Sequence, residues 1–500
     1  MPKKAESSNK AKKAKKKRPA VQARKEAQKK QRAAERKQAA AAAGKGRAGG
    51  RRQADERSGE GYRGHGDIRN RQGARNAQGD RRFEAQPQVN PDSRCPVSHQ
   101  CGACSRIDQE YPEQLADKQR LVVDLFTNIA GEETELRPIK GMADPFHYRN
   151  KVMSPFAPGK PIRGKAKGKG LGKTVLTGMY AAGTHRLVDT SGCLLENQTA
   201  SEIIRAIKQL MSKFGYEPYN ENTGEGFIRH AVIRVGHNSG EVLVTLVTND
   251  RVFPGSKGFA RELVKRVPAI TTVVQNVNTR NTNVVLGDEE HTLYGPGFIL
   301  DTLCGLSFRI SSTSFYQVSA GQTEVLYQTA IDMAQMELDE GEGAAVLPEN
   351  PVVLDAYCGT GTIGLVAASQ MNGAQVIGVD SVTSAISDAR LNAAHNGIEN
   401  AEFAAGDAGQ FMRQRAAEGM KLDLLFMDPP RSGSDEPFLE AAVEASPVRI
   451  VYISCNPVTQ ARDVSYLAEH GYDLRIVQPV DMFPHTDHVE NICLLTKAED

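Results

Sequence analysis

The sequence predicts an α/β fold. A doubly wound, mostly parallel sheet is expected over residues 308–500, preceded by an α+β region over 90–307 and a disordered basic tail over 1–89. Three observations predict this order. From about Phe308, apolar strand-like runs alternate with helical segments, the pattern of a parallel sheet covered on both faces. Three of these runs end in a polar or reactive residue (Asp380, Asp428 and Cys455), and in such sheets ligands sit at the carboxyl ends of strands. Finally, residues 1–83 carry 27 Lys+Arg against 8 Asp+Glu and almost no large apolar side chains.

The tail comes first in the chain. Its balance of +19 leaves −16 for the remainder, so the overall net charge of +3 describes neither part. A segment with so little apolar surface cannot offset the entropy of ordering it. It reads equally well as an arm that follows RNA phosphates through counterion release or as a solubilising extension. At 500 residues the whole chain exceeds one compact core. No run of 18 apolar residues offers a membrane span, and no apolar stretch near Met1 reads as a secretory signal. A cytoplasmic location is expected, where the eight cysteines would be reduced, metal-bound or catalytic.

Within 90–307, strand patterns appear at 231–235 (AVIRV) and 242–248 (VLVTLVT). The Gly/Lys stretch 163–173 interrupts the region and reads as a phosphate-contacting loop or, more simply, a solvated one. Beyond Phe308 the expected order is a helix over 322–336, strand 352–357, a glycine turn and helix to Ser369, strand 375–380, and helix 385–395. Strands at 422–430 and 449–455 follow.

Four motifs carry chemistry. Residues 355–364 (DAYCGTGTIG) form a strand, glycine turn and helix start, with Asp380 placed to accept from ribose hydroxyls. That arrangement alone fits a nicotinamide dinucleotide as well as S-adenosylmethionine. Residues 427–433 (MDPPRSG) put Asp428 on a loop stiffened by two prolines. Residues 452–457 (YISCNP) put Cys455 at a strand mouth, where a merely packed cysteine is the bland alternative. Residues 483–490 (FPHTDHVE) gather His485, His488 and Glu490 near the end of the chain, and either histidine could be a surface residue. Separately, Cys95, Cys101 and Cys104 in a C-x5-C-x2-C run, with distant Cys193, supply four thiolates. Their spacing suits an iron–sulfur cluster or a zinc site without choosing between them. Cys304, Cys358 and Cys493 read as packed side chains.

Taken together, the four motifs resemble the bacterial RNA uracil-5-methyltransferases, in order and spacing as well as in residues, from about Cys95 to Leu495. The resemblance implies an S-adenosylmethionine-dependent, Rossmann-like methyltransferase domain. It also brings in residues 314–319 (SFYQVS), whose Gln317 would contact the cofactor together with Tyr357, Thr362, Asp380 and Asp428. By the same resemblance Cys455 is the nucleophile, Glu490 the base, and the four cysteines hold a [4Fe–4S] cluster. The chain departs from many relatives in lacking strands for a small β-barrel before the cysteines, and in having Ser319 and Thr362 where asparagine is common.

Segments 230–247 and 276–306 are closer to the ribosomal than to the transfer-RNA branch of that family, so a uridine of 23S ribosomal RNA is the expected substrate and transfer RNA the alternative. A monomer is expected. A nicotinamide oxidoreductase would leave Cys455 idle. A cytosine-5 enzyme should carry a second cysteine beside residues 428–430. A catalytically silent RNA-binding or assembly protein would explain the tail and the cysteines but not the pairing of Cys455 with Glu490.

Overall fold

The computed structural model describes residues 92–162, 172–338 and 346–498. The tail expected over 1–89 and most of the Gly/Lys stretch at 163–173 lie outside the described residues. The described residues form one compact unit built around two main sheets.

The chain enters with two helices, α1 (Ser98–Cys101) and α2 (Tyr111–Phe126), and a short strand β1 (Glu135–Leu136). The first main sheet has six strands: β2 (Lys151–Pro161), β3 (Lys173–Thr177), β6 (Ile228–Val235), β7 (Val242–Thr248), β8 (Ile270–Val277) and β9 (Glu289–Tyr294). They lie in the order β3-β2-β6-β7-β8-β9. The minor pair β4 (Met179–Tyr180) and β5 (Leu187–Val188) sits between β3 and helix α3 (Gln198–Phe214). Helix α3 begins where the Asn197 side chain accepts the N–H of Thr199 at 3.0 Å, and ends at Gly215 in a left-handed turn. Its Ile203, Ile207, Leu210 and Met211 recur at helical spacing and are buried against this sheet. Helix α4 (Ser256–Arg266) makes the crossover between β7 and β8, the one parallel pair of the six.

A hairpin, β10 (Ile299–Leu303) and β11 (Leu306–Ile310), and helix α5 (Ala320–Gln335) lead into the second sheet. There β12 (Val352–Ala356), α6 (Thr362–Gln370), β13 (Gln375–Asp380), α7 (Thr383–Asn396), β14 (Ala401–Ala405), α8 (Ala408–Ala417), β15 (Leu424–Met427), α9 (Glu436–Ala445), β16 (Arg449–Ser454) and α10 (Pro457–Glu469) alternate. The expected strands and helices of this part agree with those observed to within a few residues. Strand β14 was not anticipated, and neither were the last two, β17 (Tyr472–Val480) and β18 (Glu490–Lys497). The last two form an antiparallel hairpin, with β18 inserted between β16 and β17, and β1 lies parallel to the far side of β17. The eight-stranded order is β1-β17-β18-β16-β15-β12-β13-β14.

This order fixes where a ligand can enter. From β12 the chain steps outward to β13 and β14, then returns to β15 on the other side of β12. In open α/β sheets the helices flanking such a reversal diverge, so the carboxyl ends of β12 and β15 are where a ligand crevice is expected. Both faces of the sheet are apolar: Val353, Phe426 and Val451 point into one core cluster, and Leu354, Leu425 and Tyr452 into the other. No helix among the described residues is long and apolar enough to cross a membrane.

Candidate active site at the sheet reversal

At the end of β12 the chain makes the glycine turn. Tyr357, Gly359 and Gly361 all have positive φ, at 61°, 55° and 77°. A Cβ on Gly359 would meet nothing within 4 Å, so that glycine serves the backbone conformation and leaves open space beside it. Gly361 serves packing as well, because a Cβ there would come within 2.7 Å of the Phe403 ring. Asp355 pins the turn from below: its Oδ2 accepts the Gly364 N–H at 2.8 Å, while its Oδ1 is buried with no partner among the described residues. Burial, reinforced by Asp428 and Asp380, pushes this carboxyl up to about 7.

Asp380, at the end of β13, accepts the N–H groups of Gly359 at 3.0 Å and Val382 at 2.7 Å. It is half-buried, and those two bonds hold its carboxylate at the rim of the crevice. Thr362 opens helix α6, and its hydroxyl lies 3.3 Å from that of Tyr327 on α5. Gln317 is within hydrogen-bonding reach of the same tyrosine hydroxyl, which Asp428 also influences electrostatically. Three residues expected to line the crevice, Gln317, Thr362 and Asp428, therefore meet around Tyr327, a buried residue that motif reading missed because it lies in mid-helix with no motif around it. The Tyr357 ring packs at 5.0 Å from Phe438.

Cys455 and Glu490 come together through strand register. Ser454 of β16 is paired with Asn491 of β18, so the residues just beyond that pair, Cys455 and Glu490, share one end of neighbouring antiparallel strands. Asn456 caps α10, accepting the Val458 N–H at 3.3 Å, and Pro457 occupies the first helical turn, where its missing N–H costs nothing. The Cys-Asn-Pro sequence is thus a strand end followed by a helix start, and the helix N-terminus favours a thiolate at Cys455. The Asn456 amide also donates to the Arg431 carbonyl at 2.9 Å, tying this corner to the loop after β15.

Electrostatically the corner is a contest. Burial pushes the half-buried Cys455 thiol up, Glu490 and Asp428 push it further, and Arg431, which hydrogen-bonds it, pulls it down. Glu490 is buried, and its carboxyl is pushed up to about 8 by burial and then by Asp428, against the pull of Arg431. Asp428 is pushed up to about 7 by burial. Arg431 stands in the Asp-Pro-Pro-Arg motif, so the sequence contained the signal for it, but the motif did not say what it would touch.

The two histidines separate. His488 is exposed, whereas His485 is fully buried and bonded to Gln114 of α2. The four cysteines expected to bind a metal all line one cavity of about 450 Å³, with Arg149 and Glu196 also in its wall. Cys104 is pushed up to about 12 by burial and by the neighbouring Cys193, and Cys101 is raised by burial and by Cys95. The four therefore feel one another, although among the described residues no three His, Cys, Asp or Glu side chains converge closely enough to count as a metal cage. Of the cysteines expected to be packed side chains, Cys358 and Cys493 are buried and Cys304 is half-buried.

Residues 348–463 match a family model described as a methyltransferase domain. Over 413 residues, 82% of this chain and 84% of the relative, the chain is 40% identical to an uncharacterized RNA methyltransferase of Halalkalibacterium halodurans. It is 39% identical over 402 residues to one of Listeria innocua, covering 80% and 83% of the two chains. The crystal structure of the Pyrococcus abyssi tRNA (uracil-54, C5)-methyltransferase in complex with S-adenosyl-L-homocysteine is similar, with a TM-score of 0.60 and 25% identity over 78% of this chain and 84% of that one. On the strength of these relatives, the chain belongs to the RNA methyltransferase family.

Proposed function

We propose that this chain methylates carbon 5 of a uridine in RNA, with Cys455 as nucleophile and Glu490 as the base. The observation that carries this reading is the shared strand end of Cys455 and Glu490, with Asp428 and Arg431 against both. Likeness to a solved tRNA uracil-C5 methyltransferase supports it.

Carbon 5 of uracil is a poor nucleophile. Addition of the Cys455 thiolate to carbon 6 turns the ring into an enolate whose carbon 5 is nucleophilic. S-adenosylmethionine, when bound, supplies the electrophilic methyl group. The residues present fit it: the turn is open beside Gly359, Asp380 is held at the rim, and Gln317, Tyr357, Thr362 and Asp428 surround the crevice. Arg431 stabilises the thiolate before addition. Near neutral pH Glu490 holds its proton, which spares that thiolate a negative neighbour. Once ionised, Glu490 takes the carbon 5 proton, and the ring expels the thiolate.

For the four cysteines we favour a [4Fe–4S] cluster, with zinc as the alternative. Four sulfurs around one cavity match the donor set, and a cation there would oppose the burial and the mutual repulsion that raise these thiols. Nothing in the proposed chemistry passes through this site, so its role would be to hold the RNA-binding part, 90–307, against the methyl-transfer part, 308–500.

The substrate we favour is 23S ribosomal RNA, from segments 230–247 and 276–306. Transfer RNA is the second reading, favoured by the substrate named for the solved neighbour. Incorporation of labelled methyl into unmodified ribosomal and transfer RNA, with the labelled nucleotide mapped and Cys455→Ala run in parallel, tests both. Label at a ribosomal uridine, lost in the variant, is expected. Label only in transfer RNA would replace the substrate, and label retained by Cys455→Ala would remove the nucleophile.

A further inference from the structure

Glu490 is the first residue of β18, and the loop that delivers it, residues 481–489, is held from outside the sheet. Three consecutive carbonyls of this loop accept hydrogen bonds from the N-terminal part of the chain. Lys118 donates to Phe483 at 3.2 Å, the Tyr148 hydroxyl to Pro484 at 3.1 Å, and the Arg106 N–H to His485 at 3.1 Å. Gln114 closes the set. Its Oε1 accepts the His485 N–H at 2.9 Å, and its Nε2 donates to the carbonyls of Arg106 and Gln109 at 3.0 and 2.8 Å. The same Nε2 lies 3.1 Å from His485 Nδ1. Arg106 adds an ion pair of 2.6 Å to Asp487.

His485 itself adopts φ of 65° and stacks on Phe146 at 4.7 Å. A non-glycine residue keeps that conformation only where its surroundings impose it. Those surroundings are the stretch 106–118, which begins two residues after Cys104, together with Phe146 and Tyr148 just ahead of β2. Cys455, in contrast, is placed by β16 and the capped start of α10, neither of which needs the loop.

Resting on the function proposed above, we infer that Gln114 and His485 are positioning residues for Glu490, clamping the base-bearing loop to the segment that carries Cys95, Cys101 and Cys104. The base is then in place only while that segment is docked, whereas the nucleophile stands regardless. The step that suffers is elimination. There the Glu490 carboxylate takes the carbon 5 proton, the C–H pair becomes the carbon 5–carbon 6 double bond, and the carbon 6–sulfur pair leaves on Cys455 Sγ. Loosening the clamp therefore strands the methylated ring on the enzyme.

The test uses the full-length chain with Gln114→Ala and, because a buried amide is lost there, Tyr148→Phe as a milder second variant. Turnover, denaturant-stable protein–RNA adduct and the pH profile of Cys455 alkylation by iodoacetamide are read together. Turnover should fall about 10- to 100-fold in Gln114→Ala as the base is misplaced, with methylated adduct accumulating. In Tyr148→Phe, which loses one hydrogen bond, the fall is about threefold with the same adduct. Alkylation should lose the inflection near 8 that an ionising Glu490 imposes on its neighbour. Unchanged turnover, or lost turnover without adduct in both variants, overturns the clamp. If the unmodified enzyme itself forms neither adduct nor methylated uridine, the uridine reading fails instead. The alkylation profile then still decides the clamp, since an inflection kept in both variants sinks it.

Discussion

Lys118 and Asp481 form an ion pair of 2.7 Å in which the side chains are 1% and 0% exposed. Burial lowers the lysine and the neighbouring carboxylate raises it again, so the charge survives only as a pair. Removing one member leaves the other buried and uncompensated, which costs about 3–5 kcal/mol, whereas replacing both with apolar residues of similar volume costs far less. Lys118→Met should therefore lower the urea midpoint much more than Lys118→Met combined with Asp481→Leu. Equal losses in the two chains would show that the charge pair is not what joins α2 to the loop.

Glu490 raises the proton affinity of Cys455, adding to burial, and this has a kinetic signature. In Glu490→Gln the neutral amide no longer opposes the thiolate, so the alkylation midpoint of Cys455 should move to lower pH. Arg431→Ala should move it the other way, because the guanidinium that pulls the thiol down is gone. Coincident profiles in all three proteins would mean that these groups do not face one another.

Elimination should be blocked separately from methyl transfer. A general base contributes about 10²- to 10⁴-fold, so Glu490→Gln should lose turnover by that order while still transferring one methyl and retaining the RNA as a Cys455 adduct. In the unaltered enzyme the rate of release should rise with pH through about 8, since only the ionised carboxylate can take the proton. Mass spectrometry of the denatured complex checks the adduct, and its absence in Glu490→Gln would reassign the base.

Strands β12, β13, β15 and β16 were legible because they are apolar runs of the right length between helices, and Asp380, Asp428 and Cys455 fall at or just beyond their ends. What the sequence hid was pairing. Tyr472–Val480 and Glu490–Lys497 are also apolar strands, but nothing local says that the second of them inserts antiparallel beside β16. That long-range register is what sets Glu490 beside Cys455, and only likeness to a family suggested it in advance. His485 was named with its motif, but its burial and contacts were hidden for a related reason: its neighbours Gln114 and Phe146 are separated from it by more than 300 residues. Tyr327 sits at a helical position with ordinary apolar neighbours, so its hydroxyl gave no sign of reaching Thr362.

That hydroxyl makes Tyr327→Phe an informative change. It removes one oxygen from the crevice, leaves Thr362 short of a partner and disturbs the reach of Gln317. Losing a hydrogen bond of about 1 kcal/mol should weaken S-adenosylmethionine binding roughly fivefold in calorimetric titration. The ring and its packing remain, so cysteine reactivity at Cys455 should not change. Undiminished affinity would place the cofactor away from α5.

Asp355 ties stability to pH through the same turn. Its carboxyl is raised in the folded chain to about 7 from an ordinary value of 3.8. Between those two values the folded chain keeps a proton that the unfolded chain has lost, so unfolding releases it and stability falls as pH rises. The contribution is fully present below about 4 and gone above about 7. Asp355→Asn holds no proton to lose and keeps an oxygen to accept the Gly364 N–H. Its stability relative to the unaltered chain should therefore climb by on the order of a few kcal/mol between pH 4 and pH 7, and level off above that. Asp428 and Glu490 titrate in both proteins, so the difference between two urea series reports Asp355 together with its coupling to Asp428 and Asp380. A difference that stays flat across the range would mean that the buried Oδ1 of Asp355 imposes no penalty on the ionised form.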